Sequence, residues 1–153
     1  MQALDPYDIR ILAAIQPDGL ISHVELGQRV HLSASQAARR LDRLRKDGYI
    51  DGVVTKLNAR KLGYHIMAHT LVSLKAHRLE GNLEFEQFVQ RAPEVLECYA
   101  QTGDADMIMK IVVRDLEELR DFFDRLLHAT GGLASLRSGI VLKTLKDSPQ
   151  LAV

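Results

Sequence analysis

At 153 residues the chain has room for one domain or two small ones. A hydrophobic fraction of 46% beside a charged fraction of 26% is that of a soluble globular protein and excludes a disordered or fibrous chain. No apolar stretch approaches the ~20 residues of a membrane span, no secretory signal pattern opens the chain, and the lone Cys98 excludes an internal disulfide, so the expected compartment is the cytoplasm. The formal charge is zero but unevenly spread. Residues 1–62 carry ten Lys and Arg against seven Asp and Glu, and residues 63–153 carry ten against thirteen. A positive front half and a negative rear half suggest a division of labour, the front facing a polyanion.

The first predicted element is a helix from Leu4 to Gln16. Asp5 caps it, Pro6 takes the first helical position, Ile9, Leu12 and Ile15 form the apolar stripe, and Pro17-Asp18-Gly19 ends it. A second, short helix follows Ser22 and runs to Val30. Glu25 stands three residues beyond the Ser22 cap, at capping-box spacing. His31-Leu32 makes a tight connection into a third helix, capped by Ser33 and running to Lys46. Ala37, Leu41 and Leu44 repeat at i, i+4 and i+7, while Gln36, Arg39, Arg40 and Arg43 fall off that stripe. From Ser33 to Lys46 there are five basic residues and one acid, a net of +4.

A basic run alone is usually a solvated helix face. Here it follows a short helix and a tight link, which is the helix-turn-helix pattern. The second helix of that motif lies in the DNA major groove with its early residues at the base edges. Ile9, Leu12, Leu26, Val30, Leu41 and Leu44 are expected to close the small core. Ser33 and Ser35, in the first turn, can meet phosphate. Gln36 is suited to adenine and Arg39 or Arg40 to guanine, with Gln36 and Arg40 the favoured pair. Arg43, Arg45 and Lys46 are expected at phosphates or in solvent.

Gly48 is placed to end the third helix. Tyr49 to Leu57 reads as a short strand or wing with a connector, and Asn58 to Gly63 as a linker. The expected domains are therefore 1–62 and 63–153. The second half reads strand, helix, strand, strand, helix, strand. Ile66–Leu74 is β-rich, Leu83, Phe85, Phe88 and Val89 make a helical stripe stopped by Pro93, and Val95–Thr102 is a second strand. Met107–Val113 is a third strand across a hairpin. Leu116, Leu119, Phe122, Phe123, Leu126 and Leu127 form the last helix, ended by Gly131-Gly132, and Ile140–Leu145 is the fourth strand. The fold class is thus α+β: a helix-turn-helix domain, winged or not, followed by a ferredoxin-like βαββαβ domain. Both helices of that domain would cover one sheet face. The other face has nothing in this chain to cover it, which predicts a homodimer and, with it, a loosely palindromic DNA site.

At this point the chain resembles the leucine-responsive and asparagine-regulator (Lrp/AsnC, feast/famine) transcription factors. The marks are Leu4-Asp5 with Asp8, Ile11-Leu12 and Gln16. Then come Leu26, Leu32-Ser33-x-Ser35, Arg39-Arg40, Leu44, Gly48-x-Ile50-x-Gly52 and Leu62-Gly63. In the rear half they are Pro93-Glu94-Val95, Cys98, Thr102-Gly103-Asp104-x-Asp106, and Ser138 and Lys143 on the last strand. The resemblance spans nearly the whole chain, and its force lies in the ordered series. It implies a DNA-binding front domain, a ligand-sensing rear domain, and dimers assembling into tetramers, octamers or hexadecamers. It also implies a small effector, typically an amino acid, near the hairpin turn. Gly103, Asp104 and Asp106 match that turn, and Ser135, Leu136 and Ser138 the opposing wall. Two residues depart from the pattern: Ala105 stands where many relatives have an aromatic, and Ala37 where they often have valine. In such a site Asp104 and Asp106 would receive the ammonium and the N–H groups around Gly103 the carboxylate.

Two other readings compete. Siroheme decarboxylases share this architecture, so fold alone does not decide function. Their chemistry would call on His65, His69, His77 or His128, but His65 and His69, four apart on a strand, stand about 13 Å from each other. The second rival is an architectural DNA-binding protein with little effector response. No Gly-rich phosphate loop, zinc-ligand spacing or nucleophile–base set is present, Cys98 reads as a small core residue, and no cofactor or metal is expected. The sequence supports a regulator that binds double-stranded DNA under control of a small effector, and not an enzyme.

Overall fold

Asp5 starts the first helix, α1 (Pro6–Ile15), by accepting from the backbone N–H groups of Tyr7 and Asp8, while the Asp8 carboxylate accepts the Asp5 N–H in return. The computed structural model describes residues 3–75 and 79–153. They divide into two compact units, one of Met1–Lys56 with Lys146–Val153 and the other of Leu57–Leu145. The division expected at residue 62 therefore falls inside the second unit, and the last eight residues return to the first. There the Gln16 amide bonds both ways with the Leu151 backbone, at 3.0 and 2.6 Å, and Lys56 pairs with Asp147 at 2.6 Å.

In the first unit α2 (His23–Val30) and α3 (Ala34–Lys46) follow their serine caps as expected. The capping box at Ser22 is only half made. Ser22 accepts from the Glu25 N–H, but the Glu25 carboxylate pairs with Arg29 one turn on at 2.7 Å, a charge-assisted bond that outbids the neutral N–H. The box at Ser33 is complete, with Gln36 as its second member. Between the helices His31 adopts a left-handed conformation (φ 59°) and the Leu32 N–H returns to the Gly27 carbonyl at 2.9 Å. Gly27 makes that closure possible: a Cβ there would stand 2.7 Å from the Leu32 carbonyl oxygen and 3.2 Å from the Ala34 nitrogen.

The three helices bury Ile11, Leu12, Ile21, Leu26, Val30, Ala37, Leu41 and Leu44. This corrects the expected α1 stripe. Ile9 is only half-buried, and the buried face is Asp8, Ile11 and Leu12. An apolar count cannot select Asp8, which is 0% exposed. Its burial is tolerated because two arginines of α3 reach it, Arg40 at 2.8 Å and Arg43 at 2.5 Å. Arg40 also bonds Asp5 at 2.6 Å, and its guanidinium lies 5.5 Å from the Tyr7 ring centre. The Asp8 N–H and the Arg40 guanidinium hold the Asp5 carboxyl below its ordinary range.

Gly48 (φ 78°) ends α3 as expected. No strand is formed over Tyr49–Leu57, where a short strand or wing with a connector is expected. Those residues are irregular, with Val53, Val54 and Leu57 exposed, because no strand of this unit offers a β-branched run a partner among the described residues. The expected linker contains a single 3-10 turn, Arg60–Leu62, closed by Gly63 (φ 87°).

The second unit has the expected order: β1 (Ile66–Ser73), α4 (Leu79–Arg91), β2 (Val95–Ala100), β3 (Met107–Val113), α5 (Leu116–Ala129) and β4 (Ser135–Ile140). The sheet is antiparallel in the order β2-β3-β1-β4. Ala68 and Val72 of β1 and Met109, Ile111 and Val113 of β3 form one core with Phe85, Leu119, Phe122 and Leu126 of the helices. Cys98 is half-buried against that core, and burial pushes its thiol pKa up. Alternation puts Leu71, Ile108, Tyr99 and Arg137 on the opposite face, adjacent in register, beside an ion pair of Lys110 with Glu97.

The fourth strand lies five residues earlier than expected. The apolar run Ile140–Leu145 suggested it, but β4 is an edge strand whose register follows β1, from Ser73 opposite Ser135 to Ala68 opposite Ile140. Lys143 thus lies beyond the strand, and Leu142 and Leu145 are exposed.

Two predictions follow from this packing. Gly27→Ala will cost about 1–3 kcal/mol, since the clash is with backbone that has no rotamer to yield; urea denaturation measures it. Because the folded state lowers the Asp5 pKa, its contribution is complete above the ordinary Asp value of about 3.9 and is lost as pH falls through the folded value. The melting temperature of the wild type will therefore drop below about pH 4 more steeply than that of Asp5→Asn, as a pH series of thermal melts can check.

Candidate nucleic-acid and effector sites

α3 carries its polar side chains in two sets. Ser35, Arg39, Asp42 and Lys46 are exposed and lie at i, i+4, i+7 and i+11, a single outward stripe flanked by exposed Ser33, Gln36 and Arg45. Arg40 and Arg43 form the other set, committed to Asp8. Their carboxylate partners raise the Arg40 pKa further above its already high value. Arg40, expected at a base edge, points its guanidinium to α1 in the free protein, because a buried carboxylate without a cation is far costlier than a solvated arginine. Arg43, expected at phosphate, faces the same way.

Gln36 also has a prior engagement. Its amide oxygen accepts from the Ser33 N–H and the Ser33 hydroxyl, both at 3.0 Å. A bidentate pair with adenine needs the amide oxygen and nitrogen together, so in this rotamer Gln36 offers only its nitrogen. Ser33 and Ser35 hydroxyls lie 3.2 Å apart at the start of the helix. Arg39 is the exposed cation nearest this end of α3.

In the second unit the turn between β2 and β3 is closed by the Gln101 N–H on the Asp106 carbonyl at 2.9 Å. Gly103 has φ 122°, a conformation that side-chain-bearing residues avoid. Asp104 is exposed, Ala105 is buried, and Asp106 is fixed to the end of β1. The Asp106 carboxylate accepts the Leu74 N–H at 2.7 Å and its own N–H donates to Val72 at 3.0 Å. Asp106 therefore builds the turn as well as charging it.

Ser73 is where the expected residues meet. Its hydroxyl donates to the Asp104 carbonyl at 3.4 Å and accepts from the Ser135 hydroxyl at 3.0 Å. Gly103, Asp104, Asp106 and Ser135 are thus brought to one end of β1. Leu136 and Ser138 are not: Leu136 packs on the helix-side core and Ser138 lies 2.9 Å from the buried Thr70 hydroxyl. Ser73 and the Leu74 N–H went unnoticed in the sequence, and no local signal marks them, since their importance comes from strand pairing. Lys75, bonded to the Gly131 carbonyl at 3.5 Å, adds a cation next to them.

Elsewhere, Glu84, Phe88, Arg91, Ala92 and Arg125 line a cleft of about 260 Å³ that none of the expected effector residues borders. Among the described residues no group of three His, Cys, Asp or Glu side chains is placed to hold a metal ion. His65, His69 and His128 are exposed, and His77 lies outside the described residues.

Comparison with known proteins matches both halves. Residues 4–51 match the winged helix-turn-helix DNA-binding domain and residues 67–151 the Lrp/AsnC ligand binding domain. The chain is 34% identical over 153 residues to the Bkd operon transcriptional regulator of Pseudomonas aeruginosa, covering 99% of this chain and 100% of that protein. It is 34% identical over 151 residues to the leucine-responsive regulatory protein of Rhizobium meliloti, covering 98% and 96%. Among solved structures, the transcriptional regulator NMB0573 of Neisseria meningitidis, in complex with L-methionine, superposes with a TM-score of 0.93 at 31% identity, covering 98% and 97%. These relatives are regulators, which points away from the decarboxylase reading and to a non-enzyme. With a helix-turn-helix domain in front, the ligand binding domain behind and full-length relatives in register, the chain belongs to the Lrp/AsnC family of DNA-binding transcriptional regulators.

Proposed function

We propose that this regulator reads DNA with the outward stripe of α3 and changes its grip when a free amino acid binds at the end of β1. The observation that carries the reading is the sorting of cations on α3: Arg39 stands exposed beside Ser33, Ser35 and Gln36 at the helix start, while the neighbouring arginines are spent on α1. Ser33 and Ser35 are suited to phosphate, Gln36 nitrogen and Arg39 to base edges, and Arg45 and Lys46 to flanking phosphates.

For the effector, Asp104 is the residue to receive an ammonium, because one oxygen of Asp106 already serves the Leu74 N–H. The Gly103 backbone and Ser135 complete the polar wall. The Neisseria relative bound to L-methionine supports an amino acid as the ligand class. The apolar residues Leu71, Ile108 and Tyr99 on the helix-free sheet face support a homodimer, which places two copies of α3 on a two-fold axis. Dimers would associate further, to an octamer or another closed ring, in the cytoplasm. The effector then acts by population shift, favouring the assembly in which the paired helices fit or miss their operator.

Two measurements test this. Arg39→Ala will weaken binding to the preferred duplex by about 1–3 kcal/mol and relax base preference, read by gel shift on a selected site. A thermal-shift screen of the common amino acids, starting with L-methionine, will give a stabilising hit worth about 2.7 kcal/mol at a hundredfold excess over Kd, and Asp104→Ala will abolish it. A blank screen with intact DNA binding would favour an architectural protein with little effector response.

A further inference from the structure

We infer that Asp8, Asp5 and Arg40 are positioning residues for DNA recognition: they set the roll of α3 so that Arg39, and not Arg40, faces the duplex. The apolar contacts of α3 with the rest of the domain are the side chains of Ala37, Leu41 and Leu44, one narrow stripe. Apolar contact is non-directional and tolerates a small rotation of the helix. Hydrogen bonds do not. Asp5 and Asp8 stand three residues apart at the start of α1, and Arg40 and Arg43 three residues apart in the middle of α3. Arg40 spans both acids, at 2.6 Å to Asp5 and 2.8 Å to Asp8, and Arg43 adds a second bond to Asp8 at 2.5 Å.

This ladder has one register. Turning α3 by a single residue, about 100°, would put either Leu41 and Leu44 or Arg39 and Asp42 in the places of Arg40 and Arg43, facing the fully buried carboxylate with no cation or with one cation beside another acid. That obligation makes the clamp directive where a surface pair would not be. Side-chain exposure is graded along it, 41% at Asp5, 25% at Arg40 and 0% at Asp8, so the bonds to Asp8 are shielded from solvent and salt. The exposed stripe one position away owes its orientation to them.

The rival is that Arg40 swings out to a phosphate or base when DNA arrives, with Asp8 merely holding it in the free protein. The two ideas differ in sign. Under the rival, removing an acid's charge frees Arg40, so Asp8→Asn and Asp5→Asn would bind DNA more tightly with a steeper salt dependence. Under the clamp, both bind the specific duplex more weakly with an unchanged salt slope, because no phosphate contact is gained or lost. Asp5→Asn guards against misfolding, since Asn caps a helix as well as Asp and only the charge is removed.

The experiment is an anisotropy titration of the full chain against a duplex selected by the wild type from a random pool, and against an unselected duplex, across a salt series. It is run at a temperature where circular dichroism shows each variant folded. We expect Arg40→Gln to lower the selected-to-unselected affinity ratio at least about tenfold with the slope preserved, and Arg40→Lys to keep most of it, since a single nitrogen, Arg40 Nη1, already reaches both carboxylates and an ammonium can do the same. Arg39→Ala, the comparator, should flatten the slope by about one phosphate's worth if it contacts the backbone, and otherwise lower the ratio alone. A flatter slope in Arg40→Gln, tighter binding in either Asn variant, or unchanged ratios in the folded Gln and Asn variants would each overturn the proposal. A role in stability alone would leave the ratio of the folded variants unmoved.

Discussion

The first unit is organised around a carboxylate that water does not reach. Asp8 sits in the α1 face that otherwise belongs to Ile11 and Leu12, and its negative charge has to be answered. The answer comes from α3 as two arginines a turn apart. Hydrophobic burial supplies most of the stability of three short helices, but it says little about their rotation. The buried charge says a great deal, because the cost of leaving it unpaired is high and the directions in which it can be satisfied are few. The basic helix is thereby divided into cations that hold the fold and cations that face outward.

A second constraint acts at the turn between α2 and α3. Gly27 lets the chain fold back within atomic contact, and the left-handed His31 redirects it. Together with the completed Ser33–Gln36 cap, this fixes where α3 begins. In the second unit the corresponding hub is β1. It pairs with β3 on one side and β4 on the other, and its last residues receive the turn through Leu74 and Ser73. The end of β1 is thus where the hairpin and the edge strand meet.

Much of this was legible in the sequence. The three N-terminal helices, their caps, the glycine that ends α3, the βαββαβ order and its two helical stripes all follow from local signals: cap chemistry, Pro and Gly punctuation, and apolar period. Each depends on residues within a few positions of one another. Misplaced elements were those whose identity depends on a distant partner. β4 was sought in an apolar run, but an edge strand is defined by its pairing with β1 and half its residues are polar. The segment 49–57 has strand-like composition and no strand beside it. Of the expected effector residues, Asp104, Asp106 and Ser135 converge, whereas Leu136 and Ser138 turn to the helix side because strand alternation sends neighbours to opposite faces.

The sequence by itself determined most of the elements, their order and the family. These are encoded in short-range periodicity and in motifs of fixed spacing. What only the tertiary structure decided is which polar side chains are available for function. Arg39 and Arg40 are neighbours of the same chemistry, and nothing local separates them. A carboxylate thirty-two positions earlier does, by demanding a cation in a place that water cannot enter.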